Sequence, residues 1–254
     1  MEKKYELHNY LTQLPLAQKL RQGGYDGKGV ELLRDELDFA RAFDEPCVLE
    51  KLVDINKEIS VIVAQNSSGE TTVYPPTEMV FDPVYNLVDY LFSPAELSAD
   101  QALAAQKIAL DVVKALDSPG IFAVELFLDK SGQLLVNETA PRAHNSGHQT
   151  IEGNYSSQYD MQMRILQNLP LGNTEIIKPS LMLNLIGEAG FSGPVQYKGL
   201  EEVLKTKGVF VHLYGKQETK PGRKMGHVTL LGENKTELIT KANLVKETLK
   251  VISI

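Results

Sequence analysis

The chain has 254 residues, 43% of them hydrophobic, enough for one large or two medium domains with a real core. Lys and Arg total 26 against 33 Asp and Glu, a net charge of −7, which disfavours broad attraction to nucleic acid or an anionic membrane, so any phosphate binding is local. One cysteine, Cys47, excludes an internal disulfide and a thiolate metal cluster; with no apolar signal core and no apolar run near ~18 residues, the expected compartment is the cytoplasm.

In chain order, "LPLAQKL" predicts a short strand leading into "RQGGYDGKGV", whose four closely spaced glycines predict a mobile loop. "ELLRDELDFARAF" spaces Leu32, Leu33, Leu37, Phe39, Ala40 and Phe43 at roughly helical intervals and predicts an amphipathic helix. "PCVLEKLV", "EISVIVAQN" and "ETTVYPPTEMVF" are β-rich, with a hairpin turn at Asn66 to Gly69. "SPAELSADQALAAQKIALDVVKALD" predicts a long helix ending near Asp117. "GIFAVELFLDKSGQLLVNETAPR" predicts a hairpin about "DKSG", and "SSQYDMQMRILQNLP" a further helix. After Pro179 the pattern is strand, short helix, two strands and a final helix to Lys250. A soft boundary near residue 178 separates an expected domain over 1–178 from one over 179–254, and the mixed order without regular βαβ alternation predicts an α+β fold.

The predicted hairpin carries two acids. With an even-numbered loop, Leu128 faces Gln133, Ala123 faces Glu138 and Glu125 faces Val136; Glu125 and Glu138 are then diagonal neighbours on one face, about 7 Å apart. Like charges at that distance repel, and a divalent cation relieves the conflict; oxygen ligands with room for phosphate and water suit magnesium. The alternative is that both acids point to solvent, and an odd-numbered loop would defeat the pairing.

Three further stretches concentrate polar chemistry. "KLRQGGYDGKG" combines Lys19, Arg21 and Lys28 with glycines whose N–H groups could close over phosphate; it is not a Walker A sequence, and a plain surface loop is an equal reading. "HLYGKQETKPGRKMGHV" gathers Lys216, Lys220, Arg223 and Lys224, which suits a nucleotide monophosphate or simply a solvated basic hairpin. "NETAPRAHNSGH" places an acid, an arginine, two histidines and two asparagines in twelve positions, with Pro and Gly against a helix.

Together "GGYDGKG", "EKLVDINKEISVIVA", "AVELF", "NETAPRAHNSGHQT", "SSQYD", "LPLG" and "HLYGKQETKPGRKMGH", in this order, resemble the 5-(carboxyamino)imidazole ribonucleotide synthetase family of ATP-grasp enzymes from about Leu14 to the C-terminus. The resemblance implies an ATP-grasp fold followed by a small C-terminal mixed α/β domain. It also implies a cytoplasmic ligase of purine biosynthesis that uses ATP and magnesium. Bicarbonate is phosphorylated to carboxyphosphate, and 5-aminoimidazole ribonucleotide is carboxylated on its exocyclic amine. Two other readings stay open: a nucleotide-binding relative without catalysis, and another ATP-grasp carboxylate–amine ligase. Neither nucleic acid nor membrane is an expected partner.

By the resemblance, Lys19 and the loop Gly24, Tyr25, Asp26, Gly27, Lys28 and Gly29 contact ATP phosphates, Glu50, Lys51, Leu52 and Val53 form the strand edge that reads adenine, and Glu58 holds the ribose. Glu125 and Glu138 match the magnesium ligands, with Asn137 beside the nucleotide. Arg142, His144 and Asn145 match positions that hold bicarbonate or carboxyphosphate, and Lys216 joins them as a catalytic candidate. Tyr25, Asp26, Arg142, Lys216, Arg223 and Lys224 surround the aminoimidazole nucleotide. Ala143 stands where the family usually has Pro, and Phe81 near a frequent ATP-contacting His. The family's additional N-terminal domain, about a hundred residues by the resemblance, has no counterpart in this sequence. The expectation is therefore that the chain alone is inactive or uncoupled, with a separate N-terminal domain or a homodimer as partner.

Overall fold

The structure, a computed structural model, describes residues 1–24, 29–81 and 88–254, and these divide into two compact units. In the first, Met1–Ile55, a 3-10 coil over Lys4–Gln13 buries Leu7 beside a three-stranded antiparallel sheet. Its strands are β1 (Leu16–Leu20), β2 (Val30–Leu33) and β3 (Cys47–Lys51), in the order β2-β1-β3. Leu7, Leu16, Leu33, Phe39 and Ala42 form its core.

The amphipathic helix expected from "ELLRDELDFARAF" does not form. Glu31, Leu32 and Leu33 are instead paired with Gln18, Ala17 and Leu16. Asp35 then accepts the N–H groups of Leu37 and Asp38, at 2.9 and 3.3 Å, and opens only a 3-10 turn, Glu36–Ala40. The leucines at helical spacing part company: Leu33 is fully buried in the strand and Leu37 is 84% exposed. Backbone pairing with β1 outweighs a periodicity carried by few residues.

The second unit, Asn56–Phe81 with Val88–Ile254, holds a nine-stranded sheet. Its first strands are β4 (Ile55–Gln65), β5 (Thr71–Val73), β6 (Thr77–Phe81) and β7 (Val88–Ser93). Then come α1 (Ala99–Leu116), β8 (Gly120–Asp129), β9 (Leu134–Ala140), α2 (Thr150–Gly153) and α3 (Gln158–Leu166). The remainder is β10 (Ser180–Ile186), β11 (Gly193–Lys198), α4 (Leu200–Val203), β12 (Val209–Leu213), β13 (Glu218–Thr219), β14 (Lys224–Leu231), α5 (Lys235–Thr248) and β15 (Lys250–Ser253). The large sheet runs β12-β14-β10-β7-β6-β4-β8-β9 with β5 on β4, and β13-β11-β15 form a small sheet. Because β10 pairs with both β7 and β14, the large sheet is continuous across residue 178.

Side-chain alternation gives each strand two jobs. On one face Ile59, Val61 and Val63 of β4 and Phe122, Val124 and Leu126 of β8 pack against Ala105, Ala109 and Val113 of α1. On the other, Ile62, Ala64, Ile121 and Ala123 pack with Met161 of α3. Leu181, Leu183 and Leu185 of β10 meet Leu238, Ala242 and Val245 of α5. No described helix is long and apolar enough to cross a membrane.

Several expectations hold. Gly69 donates to the Asn66 carbonyl at 3.1 Å in the turn after β4, and α1 ends before Asp117, which closes it at φ 45°. Strand β7 had no sequence expectation, because Leu91 and Phe92 are adjacent and both buried, one on each side, so no alternation marks it. The final helix stops at Thr248, two residues before Lys250, where the chain becomes β15 and pairs with β11.

At the start of α1 the Ser98 hydroxyl accepts the Gln101 N–H at 3.2 Å while the Gln101 side chain accepts the Ser98 N–H at 3.1 Å. Replacing Ser98 with Ala should lower stability in chemical denaturation by about 1 kcal/mol, with nucleotide binding unchanged.

Candidate active site

Where α3 no longer covers the second face of the sheet, the strands carry acids instead of apolar residues. Glu58 of β4, Glu125 of β8 and Glu138 of β9 lie on three adjacent strands. Glu125 and Glu138 are direct cross-strand partners, not the diagonal pair expected from an even loop. Two departures from that register cancel. The turn is an odd, three-residue loop, residues 130–132: Asp129 donates its N–H to the Gln133 carbonyl at 2.9 Å, and Gly132 takes the left-handed φ of 88°. Leu128 therefore faces Leu134 and Leu126 faces Val136. That register alone would set Asn137 opposite Glu125 and send Glu138 to the α1 face. A bulge between the Leu126 and Glu125 pairs absorbs Asn137 as an extra residue and returns Glu138 to the side of Glu125.

The electrostatics follow from this placement. Burial, then Glu138, then Glu58 push the Glu125 carboxyl up to about 8; Lys224 and Arg142 pull the other way. Burial, followed by Glu138, raises Glu58 to about 7. Among the described residues no three His, Cys, Asp or Glu side chains enclose a metal by themselves. A cation here would take carboxylate oxygens from the sheet and complete its shell with oxygens of another molecule, a donor set that suits magnesium.

The segment after β9 lies over this face and is tied down at three strands. Ser146 hydrogen-bonds Ser60 of β4 at 2.7 Å, Gln149 donates to the Thr77 hydroxyl of β6 at 3.2 Å, and Asn145 donates to Asn184 of β10 at 2.8 Å. His144 Nδ1 is 2.9 Å from the Ser146 hydroxyl and 3.6 Å from Glu125 Oε1. Arg142 is exposed, its guanidinium donating to the Ala143 carbonyl at 3.1 Å. The basic stretch enters from β12 and β14: Lys216 donates to the Lys224 carbonyl and Arg223 to the Glu218 carbonyl at 2.8 Å, while Lys224 is near enough to Glu125 to favour its ionised form. Glu58, Glu125, Glu138, Arg142, His144, Asn145 and Lys224 thus share one face of the second unit.

The other candidates lie in the first unit. Lys19 of β1 and Glu50 of β3 form an ion pair at 2.7 Å. β3 is an edge strand of its sheet, ending at Lys51, with Leu52 and Val53 just beyond. Gly29 has φ 94° and accepts the Leu20 N–H at 2.8 Å; a Cβ there would come within 2.9 Å of the Gly24 backbone, so glycine is required. Tyr25, Asp26, Gly27 and Lys28, and with them the expected mobile loop, lie outside the described residues.

Sequence reading passed over Gln158, Ser60 and Asn184, which hold the loop in place. Gln158 is fully buried; it accepts the His144 N–H at 2.9 Å and donates to the His144 carbonyl at 2.8 Å. Its signal was a polar amide in the first turn of an amphipathic helix, in the quoted motif "SSQYD".

Comparison with known proteins identifies the family and the fold. The ATP-grasp domain profile matches residues 2–159, and that of the phosphoribosylaminoimidazole carboxylase C-terminal domain residues 180–241. The N5-carboxyaminoimidazole ribonucleotide synthase of Bacillus subtilis is 37% identical over 232 residues, 89% of this chain and 59% of that protein. The crystal structure of the corresponding synthetase from Thermotoga maritima superposes with a TM-score of 0.88 at 41% identity, covering 100% of this chain and 66% of that one. A structure of the Aspergillus clavatus enzyme in complex with ADP and 5-aminoimidazole ribonucleotide gives a TM-score of 0.85 at 32% identity, over 96% of this chain and 65% of that one. The chain therefore spans less than two thirds of the length of these relatives. With more than half of its length matched by the ATP-grasp domain profile, the chain belongs to the ATP-grasp family.

Proposed function

We propose that this chain carries the nucleotide and acyl-phosphate chemistry of an ATP-dependent carboxylation of 5-aminoimidazole ribonucleotide with bicarbonate. The observation that carries the reading is the set of Glu58, Glu125 and Glu138 on adjacent strands beneath the loop of Arg142, His144 and Asn145. A relative solved with ADP and 5-aminoimidazole ribonucleotide supports the choice of both substrates.

In this reading Glu125 and Glu138 hold magnesium, which when bound offsets charge on the ATP phosphates. Glu58 accepts hydrogen bonds from the ribose, Asn137 sits beside the nucleotide, and Glu50 to Val53 present backbone groups to adenine. Lys19, with the glycines at 24 and 29, binds phosphate oxygens. Bicarbonate oxygen attacks the γ-phosphorus, ADP leaves, and Arg142, His144 and Asn145 hold the resulting carboxyphosphate by hydrogen bonds and charge. The acceptor amine then takes the carboxyl group and inorganic phosphate leaves. Lys216, Arg223 and Lys224 hold the acceptor's phosphate as point charges and a planar fork. The division at residue 178 belongs to the same proposal: an ATP-grasp domain over 1–178 and a C-terminal domain over 179–254 that closes on the substrate. So do the cytoplasmic location, which the lone buried Cys47 suits, and a requirement for an N-terminal domain or second copy before ATP use is coupled to product. Parallel assay of ADP and carboxylated product, with and without such a domain from a full-length relative, tests the reading. ADP release independent of bicarbonate and acceptor would overturn it.

Glu125→Gln and Glu138→Gln should each weaken magnesium-dependent ATP binding by about tenfold or more, equivalent to ~1.4 kcal/mol. Unchanged affinity in calorimetric titration of both variants would remove the metal assignment.

The same acids predict a pH dependence of opposite sign to ordinary ion-paired carboxylates. Glu125 at about 8 and Glu58 at about 7 bind protons more tightly when folded than when unfolded, where glutamate titrates near its ordinary value. Without metal, their contribution to stability is full below the unfolded value and is lost as pH rises through about 7 to 8. Glu125→Gln should flatten the fall in denaturation midpoint over this range, and magnesium with ATP should restore stability to the native chain at the alkaline end.

A further inference from the structure

Three histidines outside the roles above form one column. The His148 ring lies 4.4 Å from that of His227, and His227 lies 4.5 Å from His212, with interplanar angles of 18° and 15°. Each ring is anchored at its edge: Tyr159 Oη is 2.9 Å from His148 Nδ1, Tyr214 Oη 3.0 Å from His227 Nδ1, and His212 Nε2 2.7 Å from Glu152.

The hydrogen bonds of Gln158 fix the proton on His148. Its Oε1 accepts the His144 N–H, so its Nε2 is the amide donor, and that nitrogen reaches the His144 carbonyl at 2.8 Å and His148 Nδ1 at 3.2 Å. His148 Nδ1 is therefore an acceptor and the proton sits on Nε2. Gly147 allows this contact, since a Cβ there would stand 2.5 Å from Gln158 Oε1. His148 and His227 are uncharged at neutral pH. Burial, then His144, His212 and Lys224, hold His148 down at about 4; burial, then His148 and His212, hold His227 at about 3. Tyr159, Tyr214 and Glu152 are the other titratable groups facing it.

Location gives the column its consequence. His212 and His227 are cross-strand partners on β12 and β14, the strands that lead to Lys216 and away from Lys224. His148 is four residues beyond His144, in the loop tied to Gln158. We propose that His148, His227 and His212, with Gln158 as their tie to His144, are positioning residues that set the acceptor-binding lysines against the carboxyphosphate loop. Neutral stacking permits close approach where a second cation beside Lys224 would drive the two segments apart.

This inference rests on the proposed acceptor site, and its test separates the two. The full chain is titrated with 5-aminoimidazole ribonucleotide and, separately, with magnesium and ATP. Gln158→Leu should weaken binding of the aminoimidazole nucleotide by about tenfold or more and change ATP affinity by no more than about twofold. Gln158→Glu places a carboxylate beside His148 Nδ1 and raises the pKa of that imidazole. The ratio of its nucleotide affinity to the wild-type value should therefore fall as pH drops from about 8 to 6, a profile that loss of packing alone would not produce. Nitrogen chemical shifts of the imidazoles read the His148 proton in the same samples. A ratio that is flat with pH, unaltered affinity in the leucine variant, or a wild-type His148 carrying its proton on Nδ1 overturns the inference while leaving the acceptor site standing. A wild-type chain that binds ATP but not the aminoimidazole nucleotide overturns both. If Gln158→Leu does not fold, the glutamate profile and the imidazole shifts decide.

Discussion

Repulsion among carboxylates on a partly buried sheet face sets the terms for everything around them. Glu125 is almost wholly buried and stands directly across from Glu138, with Glu58 on the strand at its other side. Ionising all three there without compensation is unfavourable, both because burial strips water from the charge and because the charges are alike. A protein under no functional constraint would place apolar residues at these positions, as it does on the same face two residues from Glu125 at Ala123 and four residues from Glu58 at Ile62. In the function proposed above, a cation and phosphate groups fill the same space and offset that cost.

The surrounding structure supplies the opposite charge through Lys224 and Arg142. Ser60, Thr77 and Asn184 reach from three strands to hold the loop of Arg142, His144 and Asn145, so its position is set by neutral hydrogen bonds. Lys224 and Arg142 both favour the ionised form of Glu125. Lys216 and Arg223 spend donors on carbonyls of their own hairpin. A cationic segment held by its own backbone keeps its orientation, which suits the phosphate-binding role proposed for it.

Much of this chemistry was legible as residue type and order. The acids, the Arg-His-Asn loop and the basic hairpin each stand in short segments whose composition departs from an otherwise acidic chain, and polar groups in such clusters advertise themselves. The buried partners did not. Gln158, Ser60 and Asn184 are ordinary polar residues in regular elements, and their importance lies in what stands opposite them across 14, 86 and 39 residues of sequence. The histidines at 148, 212 and 227 were visible one by one, but their stacking belongs to the pairing of β12 with β14 and the path of a distant loop.

The sequence by itself determined which residues are chemically capable, and it determined the elements whose signals are local: α1 from its cap and strong helix formers, the Asn66 turn, and the long β-rich runs of β4 and β8. Tertiary structure decided what pairing and register decide. It turned "ELL" into a strand edge on β1 instead of a helix, and it made β7 from residues buried on both sides. It also put Glu138 opposite Glu125 through an odd loop and a compensating bulge. The physical reason is the same in each case. Side chains alternate with a period of two, so one extra residue reverses a strand's faces, and whether that residue is absorbed depends on hydrogen bonds to a partner strand that no local window contains.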